Sequence, residues 1–247
     1  MIKHAKGMNR SMQQIYLETQ DLLKRIEDAI ENRKPFSLVR IGDGENLVMA
    51  QHHVWPLSKV LQERWAMKAN RGEKGVTLPN LPLRNAVVSS VKRATVVGIL
   101  PAGDASINAP DYLKRPLTDQ VFSHYHIEPA IICHAGVNRE LARMKEFWSL
   151  LAGRRIIVIT REAQKIKERL EKEPYKQNIV HALPFHQWQD YRNTIQWMTS
   201  HKDSYDVALI SCGVNAVVLA ERIAALTGKV ALDFGKANNI ILKGRPN

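Results

Sequence analysis

The chain has 247 residues, with 36 Lys plus Arg against 24 Asp plus Glu, a formal net charge of +12. Its 45% apolar and 24% charged residues exclude wholesale disorder, and the length is ample for a real core, in one large domain or two small ones. No apolar run reaches the roughly 18 residues of a spanning helix, and the longest, 207–220, is interrupted by Ser211, Gly213 and Asn215.

The N-terminal stretch is basic but lacks the apolar core of a secretory signal. Residues 9–33 follow with Met12, Ile15, Tyr16, Leu22, Leu23, Ile26, Ala29 and Ile30 near a 3.6-residue period, which predicts one amphipathic helix ended by Pro35. Its apolar face is expected to pack on a sheet. Short apolar runs then alternate with helical patterns. FSLVRI (36–41) leads into helical stretches up to residue 70, and a loop rich in Gly and Pro follows over 71–82. ATVVGIL (94–100) precedes a second such loop at 101–111 and a helix over 111–125. AIIC (130–133), RIIVIT (155–160), NIVHAL (178–183) and VALISC (207–212) are each followed by a helical pattern, at 139–151, 162–171, 186–199 and 215–226. KVALDF (229–234) comes last. These seven strand candidates are short, rich in Val and Ile, and mostly unalternating, as strands buried on both faces are. The expected fold is α/β and Rossmann-like: a mostly parallel sheet with helices on both faces. The chain divides into an N-terminal helical segment, 1–34, and a single domain, 35–247. Cys133 and Cys212 each end an apolar run, and two isolated thiols build neither a disulfide framework nor a zinc site, so a reducing cytoplasm is expected.

The positive charge favours polyanionic partners: nucleic acid, an anionic membrane face, or phosphate-bearing ligands. Lys and Arg are scattered along the chain, and REAQKIKERLEK (161–172) mixes both signs in the manner of a salt-bridged, solvent-facing helix. No nucleic-acid-binding signature accompanies them, so no specific nucleic acid is expected.

Ligands of open α/β sheets bind beyond the carboxyl ends of the strands, so the polar residues directly after each run are the candidates. Arg40-Ile41-Gly42-Asp43-Gly44-Glu45 places two carboxylates around a glycine, hard oxygen ligands suited to Mg²⁺ or Mn²⁺. Arg40, unusual in so apolar a strand, suits a phosphate or a fixed carboxylate. The same residues also read as a tight turn in which Glu45 helps start a helix. Ser211-Cys212-Gly213-Val214-Asn215 reads either as a phosphate-attracting helix N-terminus or as a plain βα turn with Asn215 as its cap. It is neither G-x-G-x-x-G nor a Walker A loop. Asp233-Phe234-Gly235-Lys236 ends the last strand, and Asp104 follows the second; each acid is a candidate for hydroxyl binding or base catalysis, as is His134. Trp188, Tyr191, Ile195 and Met198 recur at helical spacing and read as core, whereas His52, His53, His124 and His126 read as surface.

SLVRIGDGE, followed far downstream by SCGVNAVVLAERIAALTGKVALDFGK, resembles the bacterial GT-D-fold glycosyltransferases over residues 36–236. The resemblance implies that Asp43 and Glu45 replace the usual metal-binding acidic motif and hold Mn²⁺ or Mg²⁺ against the diphosphate of a nucleoside-diphosphate sugar, with UDP-sugars the best-known donors. Arg40, Gly42, Gly44, Ser211, Gly213, Asn215 and Lys236 are then the donor-binding candidates, and Asp43, Glu45, Asp104 and Asp233 the catalytic ones. The acceptor is expected to be a glycan, glycoprotein or lipid-linked saccharide, in the cytoplasm or in peripheral contact with the inner membrane face. The family often ends its last strand Asp-x-Gly-His; Lys236 stands in the place of that His. Two rivals to a transferase are a metal-dependent phosphohydrolase and a non-catalytic module that binds nucleotides or polyanions.

Overall fold

The computed structural model describes residues 14–245. The chain opens with β1 (Ile15–Leu17), α1 (Thr19–Glu31) and β2 (Phe36–Arg40). Four helices follow: α2 (Asp43–Ala50), α3 (Leu57–Gln62), α4 (Arg64–Asn70) and α5 (Leu81–Arg93). Strands and helices then alternate through β3 (Val96–Ile99), α6 (Arg115–Tyr125) and β4 (Ile131–His134), and the pair α7 (Val137–Leu141) and α8 (Lys145–Leu151) comes next. The remainder is β5 (Ile156–Thr160), α9 (Ala163–Leu170), β6 (Ile179–Pro184), α10 (Tyr191–Ser200), β7 (Val207–Ser211), α11 (Asn215–Thr227), β8 (Val230–Asp233) and α12 (Ala237–Lys243).

All eight strands form one parallel sheet in the order β1-β4-β3-β2-β8-β7-β5-β6. The expected α/β class is the observed one, and each of the seven expected strands is present. Adjacent strand residues serve opposite faces: Leu38 joins the layer beneath α1, α8, α9 and α12, and Val39 joins the layer beneath α2, α5, α6 and α11. Both faces are covered, which is why the runs do not alternate.

The N-terminal region differs from its expected form. The helix begins at Thr19, not residue 9, and Ile15–Leu17 forms an edge strand paired with Ile131–Cys133; residues 9–13 lie outside the described ones. Ile15 and Tyr16 are exposed at the sheet edge and only Leu17 enters the core, so it is pairing with β4 that makes the segment a strand. The apolar stripe of α1 (Leu22, Leu23, Ile26, Ala29 and Ile30) packs against the sheet. Helices α5 and α12 were not legible. The former carries Val and Ser where strong helix formers would sit, yet Asn80 caps it by accepting from the Leu83 amide at 3.0 Å.

The packing of α5 on α11 encloses one charged group. Glu221 is buried and takes both prongs of Arg93, each at 2.8 Å, and the Ser90 hydroxyl at 3.1 Å. Arg93 itself is half-exposed. Removing the arginine strands a buried carboxylate, whereas neutralising the acid strands only a guanidinium that water can reach. Arg93→Ala should therefore cost more stability, about 2–4 kcal/mol, than Glu221→Gln, about 1–2 kcal/mol. Urea unfolding of the two variants checks the order, and the reverse order would refute this reading.

Candidate functional site

Because every strand runs the same way, the carboxyl ends of β2, β3, β4, β5, β7 and β8 share one edge of the sheet. From β2 the chain moves outward through β3 to β4 on one side, then crosses to build β5 to β8 on the other. The boundary between β2 and β8 is thus a topological switch point, where such sheets open a crevice. A cleft of about 1160 Å³ lies there, lined by Arg40, Gly42, Asp43, Gly44 and Glu45 from the β2–α2 turn, Ser211 and Gly213 from the β7–α11 turn, and Gly235 and Lys236 after β8. Eight of the eleven site residues expected from sequence therefore line one cavity. Asn215, Asp233 and Asp104 do not line it.

Asp233 lies just beneath. Its Oδ1 receives Arg40 Nη2 at 2.8 Å, and its carbonyl receives Arg40 Nε at 2.9 Å. Arg40 Nη1 donates to the Ala135 carbonyl at 3.1 Å and Asn138 Oδ1 at 2.9 Å, and Asn138 Nδ2 donates to the Phe234 carbonyl at 2.7 Å. Four donor contacts from one guanidinium thus join β2, β8 and the β4–α7 turn. Burial pushes the Asp233 carboxyl up, and Arg40 pulls it down without cancelling the shift. The Gly235 of Asp-Phe-Gly has φ of +43°, and a Cβ there would fall inside the Arg40 guanidinium. That glycine is required by the clamp.

Asp43 and Glu45 occupy the first turn of α2. Glu45 Oε2 accepts from the Gly42 amide at 3.0 Å, closing the turn. Burial, then the charges of Asp233 and Asp43, raise the Glu45 carboxyl to about 7. Gly44 between the two acids is packed against an indole: a Cβ would meet Trp65 Cε2 at 2.5 Å. Trp65 is therefore a wall of the D-x-E turn.

At the β7–α11 turn, Asn215 is the first helical residue and not the cap; Val214 precedes it. Its Nδ2 donates to the carbonyls of Gly75 (3.1 Å) and Cys212 (3.3 Å). Asn215 Oδ1 and Ser211 Oγ are buried without a hydrogen-bond partner. Buried polar atoms are seldom left so, and both sit at the amino end of a 13-residue helix.

Asp104 is enclosed by its own loop. Ser106 Oγ (3.0 Å), the Ile107 amide (3.1 Å) and His134 Nε2 (2.9 Å) surround its carboxylate, while His134 Nδ1 accepts from the Gly136 amide at 3.0 Å. Burial raises the Asp104 carboxyl, but hydrogen bonds from His134, Ser106 and Ile107 outweigh it, and the net shift is downward. Both ring nitrogens of His134 are used, so the pair is a strut fixing the 101–111 loop against β4. Met198 is core, and Trp188, Tyr191 and Ile195 pack on it. His53 and His124 stack beside Tyr125, away from the cleft.

The rim carries residues the sequence reading did not single out: Arg64, Trp65 and Lys68 on α4, Lys74 in the 71–80 loop, Arg139 and Arg161. With Arg40 and Lys236 that makes seven basic side chains against the acids Asp43, Glu45, Glu63 and Glu162. Lys236 is held below the usual lysine range by partial burial and by Arg139 and Lys74, with Asp43 opposing. No motif marks these positions; they reach the cleft from separate loops and from two short helices, α4 and α7. Among the described residues no group of three or more His, Cys, Asp or Glu is arranged to hold a metal, and no helix is long and apolar enough to cross a membrane.

Fold and cleft together define a Rossmann-like α/β protein with its site at the sheet's switch point. The chain belongs to the GT-D-like family, the GT-D fold-like domain, which it matches over residues 17–241. Two solved structures of domain of unknown function 1792 share its fold, one of them described as having a distinct glycosyltransferase fold. Each superposes with a TM-score of 0.61 over 95% of this chain and 84% of the other, at 14% and 13% identity. No curated protein sequence matches. The family is defined by its fold, and the fold it shares with these neighbours is described for one of them as a glycosyltransferase fold.

The raised Glu45 carboxyl has a thermodynamic consequence. The folded chain keeps this proton up to about pH 7, whereas an ordinary carboxyl near 4.5 releases it, so the native state binds more protons between those values. In metal-free buffer stability should fall as pH rises from 4.5 to 7, with a slope of at most about 1.4 kcal/mol per pH unit from this group. Glu45→Gln cannot ionise and should flatten that segment of the profile; denaturant midpoints across this range that match wild type would contradict the assignment.

Proposed function

We propose that this protein is a metal-dependent transferase that moves a sugar from a nucleoside-diphosphate sugar, a UDP-sugar first among them, to a saccharide acceptor. The observation that carries the reading is the juxtaposition in one cleft of the Asp43/Glu45 turn and the β7–α11 connection, where Gly213 and the buried, unsatisfied Ser211 hydroxyl line the wall.

The acidic turn suits a divalent cation. Two carboxylates sit in one helical turn; burial first, and the neighbouring charges of Asp233 and Asp43 next, raise the Glu45 carboxyl, and a cation beside it would oppose both. Two protein carboxylates with substrate phosphates and water completing the shell is the usual manner of binding Mg²⁺. Asp43 and Glu45 would hold Mn²⁺ or Mg²⁺, which supplies Lewis-acid stabilisation of the departing diphosphate. The chain's own groups do the rest. The amides at Gly213 and the orphaned Ser211 hydroxyl offer hydrogen bonds to donor phosphates, aided by the dipole of α11. Lys74, whose carbonyl lies 3.5 Å from where a Gly213 Cβ would be, and Lys236 add fixed positive potential. Arg40 contributes charge through the wall of the cleft while its N–H groups stay on Asp233, Ala135 and Asn138. Asp233 and Asp104 act as positioning residues: the first fixes Arg40, the second fixes the loop with Ile107 to Pro110 that borders the cleft.

The phosphohydrolase reading has less support, because of the four acids lining the cleft only Asp43 and Glu45 share a turn, and no histidine is among the described lining residues. A polyanion-binding module would bind without metal and with steep salt dependence. Titration calorimetry of UDP with Mn²⁺ should show saturable binding to wild type, lost with EDTA and weakened at least about tenfold in a folded Asp43→Asn variant. UDP binding that ignores both EDTA and Asp43→Asn would sink the metal assignment. Incubation with UDP-glucose and saccharide acceptors should then yield a glycosylated product; release of UDP and free sugar alone would favour the hydrolase.

A further inference from the structure

The donor does not account for all of the cleft. One wall, formed by α4, stands beside the D-x-E turn and carries Trp65 with Arg64 and Lys68, four residues apart on one face of the helix. Trp65 is placed by the backbone of Gly44, against which its indole lies, so the ring is fixed at the edge of the Asp43/Glu45 pair. The indole is half-buried, and its N–H meets no acceptor among the described residues. Arg64 and Lys68 enter no salt bridge among the described residues, although Glu63 is adjacent in sequence; Glu63 instead accepts the Tyr112 hydroxyl at 3.0 Å. A planar aromatic face with one free donor suits the apolar face of a sugar ring and a hydroxyl at its edge.

Charge indicates what that sugar carries. A nucleoside-diphosphate sugar brings two negative charges through its diphosphate, and the divalent cation proposed above cancels them. Lys74, whose loop lies beside the β7–α11 turn, and Lys236, after β8, are already assigned to that diphosphate. Arg64 and Lys68 are left with no salt bridge among the described residues on the helix that carries Trp65, and uncompensated cations beside an aromatic platform describe a recognition site for an anionic ring. Lys68 also contributes to the positive field felt at Lys236, so the two sides of the cleft open onto the same space.

We propose that the α4 wall is the acceptor subsite and that the acceptor it takes is a saccharide bearing a phosphate group, stacked on Trp65 with its phosphate between Arg64 and Lys68. The proposal rests on the nucleotide-sugar reading, because it assigns to the acceptor what the donor leaves over. A sugar phosphate and the sugar end of a lipid-linked diphosphate share this chemistry.

Calorimetry with three probes tests it: glucose, glucose 1-phosphate, and glucose joined through a diphosphate to a short alkyl chain. Each is titrated into the full chain, alone and with UDP and Mn²⁺, and UDP affinity is measured for every variant. In wild type the phosphorylated probes should bind at least about tenfold tighter than glucose, and the tighter of the two names the source. Arg64→Gln/Lys68→Gln should erase that preference while UDP affinity stays within about twofold, since neither side chain is assigned to the donor. Trp65→Ala should weaken all three sugars alike, and Trp65→Phe should recover most of the loss by keeping a ring. Wild type that binds glucose as tightly as its phosphates overturns the proposal. So does a double variant that loses UDP binding in step with glucose 1-phosphate, because the two cations would then serve the donor. Absence of UDP binding in wild type is a separate result: it removes the donor reading, while the probes titrated alone still report on the α4 wall.

Discussion

Arg40 is the group on which the site depends. It ends β2 at the point where the sheet's winding reverses, and there it bonds to β8 through Asp233 and to the β4–α7 turn through Ala135 and Asn138. A parallel sheet splays at its switch point because the connections leave in opposite directions. One guanidinium with several donors in a fixed plane closes that seam where a single-point lysine would not. Asp233 is 3% exposed and Arg40 17%, so the pair is costly to desolvate and contributes more to geometry than to net stability. Gly235 follows from it, since any side chain there would displace the guanidinium. The Asp-Phe-Gly sequence is thus explained by the clamp, and the turn after β8 that carries Lys236 is held in place by it.

The acids divide into those already bonded and those facing the cleft. Asp233 and Asp104 have partners on every side, whereas Asp43 faces the cleft and Glu45 spends one oxygen on the Gly42 amide. Strand-end position alone does not separate these cases. A carboxylate buried among donors is a strut; two carboxylates one residue apart that line a cleft can share a divalent cation. The Glu45 carboxyl is raised by burial first and by the charges of Asp233 and Asp43 next.

Much of the fold was legible because its signal is local. Val and Ile runs buried on both faces can be read directly, and the residues after them identify the edge where the cleft lies. What was missed depends on partners distant in sequence. β1 is three residues long and is a strand only because Ile131–Cys133 lies beside it. Arg40 reads equally as a phosphate ligand or a carboxylate partner until Asp233, 193 residues away, is seen against it. Trp65 looks like any aromatic in a helical stretch, and its place at the acidic turn appears only through contact with Gly44. Glycine between two acids suggests a tight turn from sequence; in the structure its more specific purpose is to admit an indole.

The overall charge acquires meaning from where it is uncompensated. Most basic residues outside the cleft are paired or solvated, as Arg93, Arg155 and Lys165 are with Glu221, Asp206 and Glu162, and such pairs say little about ligands. Inside the cleft Arg64, Lys68 and Lys74 form no salt bridge among the described residues. Like charges crowded on one concave surface repel and lower stability unless an anion arrives, so their retention is better explained by binding than by folding. They share the cleft with the Asp43/Glu45 pair, and Lys68 and Lys74 both act on Lys236. The cleft thus sets a pair of carboxylates among unpaired cations, a combination that suits a divalent cation and the phosphate groups it binds better than either charge alone.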